Sequence, residues 1–284
     1  MLDYKNYRDF NTINAMILDI LPKIPVDVDL IVGIPRSGLI VSTLLSEYLN
    51  KPHSDLFAFI NEIDNYKMSK GSRAPNSDVR NAKHILLVDD AMGIGAAMSS
   101  AIELIRAKIP DGLKITTFVA FVEPKSTSIP NLYCEVLRDQ FLPWSILKRG
   151  TEDSCCDIDG VLTEDVPREF DDDGPKYIQF LKNQRPKFVP VRKIKILVTG
   201  RLEKYRRITE EWLKNHGVVY EKLVMCPCST REERKRYGVA QMKGRLFQEV
   251  NLPLFIESDL GEAKVIKSMN PDKSVYCVKV ANYI

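Results

Sequence analysis

Short apolar runs, each followed by a small-residue or acidic turn and then a helix-periodic stretch, recur along the chain. Residues 30–33 (Leu-Ile-Val-Gly) and 84–88 (His-Ile-Leu-Leu-Val) are apolar without alternation, the pattern of strands buried on both faces of a parallel sheet. The second run leads through Asp89-Asp90-Ala91-Met92-Gly93-Ile94-Gly95-Ala96-Ala97 into an apolar-periodic helix to about Lys108, and a further strand ends over 119–123. The pattern restarts after residue 150. Strands are predicted before Asp157, over 194–198 and over 252–256, with helices over 176–183 and 237–250. The chain therefore reads as α/β, with one domain over 1–150 and a second over 151–284. Its 284 residues exceed one typical core, and the polar join at 147–153 is short.

Residues 157–163, Asp-Ile-Asp-Gly-Val-Leu-Thr, carry the most specific chemistry. Side chains two apart on a strand share a face, so Asp157 and Asp159 are expected to leave one strand end together while Gly160 turns the backbone. Two carboxylates so close call for a hard, oxygen-ligated cation such as Mg²⁺. One carboxylate is then free to attack phosphorus while the other carries a proton. The segment resembles the first motif of the haloacid-dehalogenase superfamily, with Asp157 as nucleophile and Asp159 as acid/base. Thr199-Gly200-Arg201 after the 194–198 strand resembles its second motif, a hydroxyl for a phosphate oxygen. Lys243 resembles the third, a compensating cation, and Glu257-Ser258-Asp259 the fourth. That resemblance implies catalytic Asp157, Asp159, Thr199 and Lys243 and a metal at Asp157, Asp159 and either Glu257 or Asp259. The segment between the first two motifs, 164–193, is too small for a large lid. It leaves the site open to a bulky substrate or to a cover from the first domain. Its Asp171-Asp172-Asp173 run is read as substrate contact or as an acidic helix start before Pro175.

The N-terminal half carries a different pattern. A strand ending in Asp89-Asp90, then a small-residue loop at a helix N-terminus, suits a ribose 5-phosphate: the carboxylates accept from sugar hydroxyls and loop N–H groups hold the phosphate. The loop resembles the phosphoribosyl-pyrophosphate motif of type I phosphoribosyltransferases, though Gly93, Ile94, Ala96 and Ala97 stand where that family carries Thr and Gly. Upstream, Pro35-Arg36-Ser37-Gly38 after the 30–33 strand resembles the family's pyrophosphate loop. The polar stretch 61–81, with Lys67, Lys70 and Arg73, resembles its flexible catalytic loop. The resemblance covers residues 20–125 and implies phosphoribosyl-pyrophosphate contacts at Arg36, Ser37, Gly38, Lys67, Arg73, Asp89, Asp90, Gly93, Gly95, Ala96 and Ala97. Trp144, beside Pro143, is read either as a platform for the acceptor base or as an interdomain plug.

Composition narrows the classes. Lys and Arg number 17 against 17 Asp and Glu up to residue 150, and 24 against 21 beyond it, so no basic face marks a nucleic-acid binder. No window of 18 apolar residues and no apolar leader is present, and the six cysteines lack a disulfide-framework spacing, which places the chain in a reducing cytoplasm. Cys226-Pro-Cys228 lacks a second ligand pair for zinc.

Together the two resemblances imply two Rossmann-like domains, as in bacterial and phage fusions labelled orotate-phosphoribosyltransferase-like. They imply a bifunctional enzyme of nucleotide metabolism. Its first site moves phosphoribose from phosphoribosyl pyrophosphate to a nucleobase-like acceptor; its second hydrolyses a phosphomonoester or nucleotide with Mg²⁺ through an aspartyl-phosphate. No nucleic acid or membrane partner is expected, and a homodimer stays open. The alternative is a phosphatase whose N-terminal domain only binds or senses phosphoribosyl pyrophosphate or a nucleotide; a non-catalytic scaffold is the third reading.

Overall fold

A computed structural model describes residues 6–61, 81–109, 112–148 and 150–284. The chain divides into two compact units, one reaching to Gln140 and the other running from Phe141 to Ile284. The division falls before the 150/151 join read from polarity, because Phe141, Leu142 and Ile146 are apolar and buried, and they belong to the second unit.

In the N-terminal unit, helix α1 (Phe10–Ile20) is started by Asp9, whose carboxylate accepts from the Thr12 N–H at 2.7 Å. It buries Ile13, Ile17 and Ile20, one helical face. Five strands follow: β1 (Leu30–Gly33), β2 (His53–Asp55), β3 (His84–Met92), β4 (Lys114–Val122) and β5 (Leu132–Val136). They form a wholly parallel sheet in the order β2-β1-β3-β4-β5. Helices α2 (Gly38–Leu49), α3 (Leu56–Ile60) and α4 (Ala96–Lys108) fill the connections. The central strand β3 is longer than its apolar run predicts: pairing with β4 continues to Met92, so Asp89 and Asp90 are within the strand. Its Leu and Val side chains are fully buried, and Phe118 and Phe121 of β4 are buried in the same sheet.

The second unit is a six-stranded mixed sheet. Its strands are β6 (Ser154–Cys156), β7 (Ile194–Leu202), β8 (Tyr220–Cys226), β9 (Leu254–Glu257), β10 (Ser274–Cys277) and β11 (Asn282–Tyr283), in the order β11-β10-β9-β6-β7-β8. All pairs are parallel except β10 with β11. Helices α5 (Pro175–Asn183), α6 (Arg206–Asn215), α7 (Arg231–Tyr237), α8 (Val239–Glu249) and α9 (Leu260–Met269) connect them. The helical stretch read over 237–250 breaks at Gly238, whose φ of 77° lies in the left-handed region. Phe247 of α8 meets Phe255 of β9 edge-on at 5.5 Å and anchors that helix on the sheet. Among the described residues no helix is long and apolar enough to cross a membrane, and all six cysteines are free thiols.

Candidate functional sites

In the N-terminal unit, four of the residues singled out by sequence meet at the ends of β1 and β3. The Ser37 hydroxyl donates to Asp90 Oδ1 at 2.9 Å, and the Asp90 N–H donates to Asp89 Oδ1 at 2.9 Å. A Cβ on Gly38 would stand 2.9 Å from Asp89 Oδ1 and 3.0 Å from the Val88 carbonyl, so only glycine lets α2 start this close to β3. Arg36 is exposed in the same loop, after a cis Pro35–Arg36 peptide. After β3, Gly95 caps α4 with φ 92°, and a Cβ there would meet Ser128 Oγ at 2.2 Å. Gly93 has open space around its missing Cβ and a φ outside the left-handed region; Ala96 and Ala97 are placed at the helix start, with Ala97 exposed. Thr127 Oγ1 donates to the Ile94 carbonyl at 3.0 Å, pinning the loop from the segment after β4. The loop thus presents backbone N–H groups at the N-terminus of a 13-residue helix, a ready anion site.

Burial and the neighbouring Asp90 push the Asp89 carboxyl up to about 8. Lys67 and Arg73 lie outside the described residues. Trp144 sits half-buried in a short 3₁₀ turn, Pro143–Ser145, of the other compact unit.

In the C-terminal unit the expected residues divide between two buried cations. Lys243, on the buried face of α8, places its ammonium 2.8 Å from Asp157 Oδ2, 2.7 Å from Glu257 Oε2 and 2.6 Å from Glu262 Oε2. Burial raises the Asp157 carboxyl well above its usual range; the Glu257 charge adds to this, and Lys243 opposes it. Asp159 does not share that environment. The strand ends at Cys156, the backbone folds over Ile158 and turns at Gly160 (φ 76°), and Asp159 is taken by the fully buried Arg201. Arg201 Nη2 and Nε donate to it at 2.6 and 3.0 Å, and Thr199 Oγ1 at 3.3 Å. Despite burial, the guanidinium holds the Asp159 carboxyl below its usual value. The expectation that the two aspartates leave one strand end together is therefore corrected: they part across a turn, each to its own side-chain cation.

Of the residues expected to share a metal, Asp157 and Glu257 meet on Lys243, whereas Asp159 is taken by Arg201. Among the described residues no three His, Cys, Asp or Glu side chains converge as a metal site, because Lys243 occupies the centre of one group of carboxyls and Arg201 takes Asp159. Of the two alternatives for the last acidic position, Asp259 caps α9 by accepting from the Glu262 N–H at 2.8 Å, whereas Glu257 is buried against Lys243. Asp172 likewise caps α5 through the Gly174 and Tyr177 N–H groups; Asp173 accepts from Tyr205 at 2.7 Å; only Asp171 of that run lines the cavity over Asp157. The donor chemistry still suits a divalent ion. Asp157, Glu257 and Glu262 surround a single ammonium, and Asp165 and Asp259 line the same cavity, so an added cation would relieve an excess of negative charge.

The roles of two residues escaped sequence reading. Arg201 stands two after Thr199 on β7, a spacing that puts both on one face and is the signal that could have assigned it to Asp159. Glu262 follows the cap Asp259 by three and reads as part of a helix start, which hides its contact with Lys243.

Comparison with known proteins bears on the first unit. Residues 3–140 match the family described as the phosphoribosyl transferase domain. Similar solved structures include a purine phosphoribosyltransferase from Pyrococcus horikoshii Ot3, 21% identical, TM-score 0.36, covering 49% of this chain and 92% of that one. A Helicobacter pylori xanthine-guanine-hypoxanthine phosphoribosyltransferase is 15% identical, TM-score 0.38, over 50% and 92%. An orotate phosphoribosyltransferase from Aeropyrum pernix is 15% identical, TM-score 0.30, over 49% and 73%. No curated protein matches the chain. The first unit therefore carries a phosphoribosyl transferase domain, and the second is read from its own geometry.

The electrostatics of both sites are open to measurement. Folded Asp89 keeps a proton that the unfolded chain releases between the ordinary 3.8 and about 8, so its contribution to stability is present at low pH and lost as pH rises through that window. Asp89→Asn should flatten the fall in thermal midpoint between about pH 4 and 8; identical slopes for variant and wild type would assign the titration elsewhere. Arg201→Met leaves Asp159 buried without its partner and should cost about 3–5 kcal/mol in denaturant unfolding. Adding Asp159→Asn should recover part of the loss, and a single-variant cost under about 1 kcal/mol would mean that the pair is not a structural strut.

Proposed function

We propose that the chain is a bifunctional enzyme of nucleotide metabolism. Its N-terminal unit transfers phosphoribose from phosphoribosyl pyrophosphate to a nucleobase-like acceptor, and its C-terminal unit hydrolyses a phosphomonoester in the manner of the haloacid-dehalogenase superfamily. The family match over residues 3–140 supports the transferase, together with the placement of Asp89 and Asp90 on the strand that leads into the Gly95-capped helix. The two carboxylates accept from the ribose hydroxyls, the α4 N-terminus holds the 5-phosphate, and exposed Arg36 meets the pyrophosphate charge.

The phosphatase reading is carried by Lys243 on Asp157. The arrangement joins a carboxylate after the central strand β6, a threonine on the adjacent β7, a glutamate ending the other neighbour β9 and one buried ammonium. Asp157 attacks phosphorus as the ester P–O bond breaks, the leaving alkoxide takes a proton from water, and a water that gives its proton to Asp159 then cleaves the aspartyl-phosphate to release inorganic phosphate. Lys243 holds the nucleophile and offsets phosphoryl charge, and Thr199 sits where a hydroxyl can hold a phosphate oxygen. Asp159, ionised against Arg201, suits proton acceptance from water in the second step better than donation in the first. A Mg²⁺ ion would be held by the carboxylates of Asp157 and Glu257, and when bound it would supply charge neutralisation at the transferring phosphoryl group. A reducing cytoplasm is the compartment we propose from the cysteine usage.

Asp157→Asn should abolish Mg²⁺-dependent phosphatase turnover, because an amide cannot attack phosphorus; more than a few per cent of residual rate overturns the nucleophile. Asp89→Asn with Asp90→Asn should remove phosphoribosyl-pyrophosphate binding in calorimetry while phosphatase turnover stays near wild type. Unchanged affinity would reduce the loop to a strand-to-helix turn and favour a different ligand for the first unit.

Restoring hydroxyls to the loop gives a separate test. Open space at Gly93 and exposure of Ala97 admit threonine at both positions. Each neutral hydrogen bond contributes roughly 0.5–1.5 kcal/mol net, so Gly93→Thr with Ala97→Thr should tighten phosphoribosyl-pyrophosphate binding by about fivefold or more. Weaker binding in a folded double variant would remove this loop from the phosphate contact.

A further inference from the structure

The cavity above Asp157 holds a side chain that the proposed chemistry does not use. Tyr177, on α5 in the segment between the first two phosphatase-like motifs, is 4% exposed, yet it lines the cavity. Its ring is fixed edge-on against Tyr205 at 4.9 Å, and its hydroxyl is not one of the buried polar atoms cut off from water, so it opens onto the cavity that the residue lines. A phenol whose ring is packed while its hydroxyl meets a cavity is a donor held in place for a ligand oxygen. Burial and the nearby Asp159 charge push its titration upward, so the hydroxyl is an uncharged donor at neutral pH.

The surroundings select what that donor meets. Besides the carboxyl floor, the cavity is lined by Asp171 and Arg234, with Val166 and Val239 the apolar contribution. Arg234 is held by the Gly200 carbonyl at 3.5 Å and Asp171 at 3.9 Å, and Asp171 by Arg231 at 2.6 Å, so these charged groups are pre-placed. No aromatic face other than Tyr177 is offered, among the described residues, for a planar base to stack upon. The cavity measures about 290 Å³, the small end of the ~300–1,000 Å³ usual for small-molecule sites. Polar walls, a small volume and a phenol hydroxyl on the wall of the cavity that Asp157 also lines suit a short, hydroxyl-rich leaving group.

We propose that the substrate class of the C-terminal site is a small phosphomonoester of a sugar or polyol, about the size of a pentose phosphate, and that Tyr177 is a specificity residue whose O–H donates to an oxygen of the alcohol portion. The inference rests on the phosphatase reading and narrows it.

The full chain is assayed in Mg²⁺ with D-ribose 5-phosphate, uridine 5′-monophosphate and 4-nitrophenyl phosphate, as wild type and as Tyr177→Phe, which keeps the ring contact with Tyr205. Wild type should show kcat/KM for ribose 5-phosphate about tenfold or more above that for the nucleotide. Tyr177→Phe should lower kcat/KM for ribose 5-phosphate by about two- to tenfold, the range for one neutral hydrogen bond, and leave 4-nitrophenyl phosphate, which has no hydroxyls, within about twofold. Equal losses on both substrates would make Tyr177 a packing residue, and no loss on either would remove the contact. Preference for the nucleotide would overturn the substrate class while leaving the phosphatase standing. Turnover of none of the three would overturn the phosphatase reading and this inference with it.

Discussion

Taking Asp157 and Glu257 out of water costs several kcal/mol for each ion, and Lys243 is what makes that burial tolerable. Its ammonium reaches both, and Glu262 as well, from the inner face of α8. Much else in the unit is arranged around that contact. Helix α8 is seated by Phe247 on Phe255, α9 is started by Asp259 so that Glu262 faces inward, and the ends of β6 and β9 are brought side by side by parallel pairing. One ammonium among three carboxyls leaves a surplus of negative charge at the cavity floor. Burial first, and the Glu257 charge after it, raises the Asp157 carboxyl above its usual range, with Lys243 opposing.

The N-terminal unit meets a similar constraint differently. Asp89 and Asp90 are buried side by side; Ser37 donates to Asp90, and Asp89 retains a proton to unusually high pH. Hydroxyl donors such as Ser37 compensate a carboxylate without bringing charge, whereas the Asp157 cluster is compensated by a full ammonium. Both sites form where parallel strands end and the next helix begins, since there the backbone leaves N–H groups and acidic side chains facing one crevice.

Within the C-terminal site, Arg201 divides the labour between two aspartates of a single short motif. By taking Asp159 with two nitrogens it keeps that carboxylate ionised, and it leaves Asp157 to Lys243. Two carboxylates with environments pushed apart can play different parts at one pH. The turn at Gly160 makes the separation possible. A Cβ there would strike Ser258, whose hydroxyl donates to the Asp159 carbonyl at 3.0 Å.

The apolar runs, Gly38, the Asp89-Asp90 pair and the spaced Asp157, Thr199, Lys243 and Glu257 were all readable from residue type and order. They obey local rules: unbroken apolar stretches make strands buried on both faces, and acids or glycines end them. Residue order likewise distinguished the two halves, although the boundary moved to Phe141 once burial rather than polarity decided it. What it could not supply was which charge meets which. Arg201 lies 42 residues beyond Asp159, and Lys243 lies 86 beyond Asp157, so their pairing is set by strand order and helix seating. The different placements of Glu257, buried on Lys243, and Asp259, capping α9, are set by tertiary structure in the same way. Tyr177 shows the limit most clearly: in the sequence it is one aromatic on a short amphipathic helix, and only the tertiary structure packs it on Tyr205 and places it in the wall of the cavity.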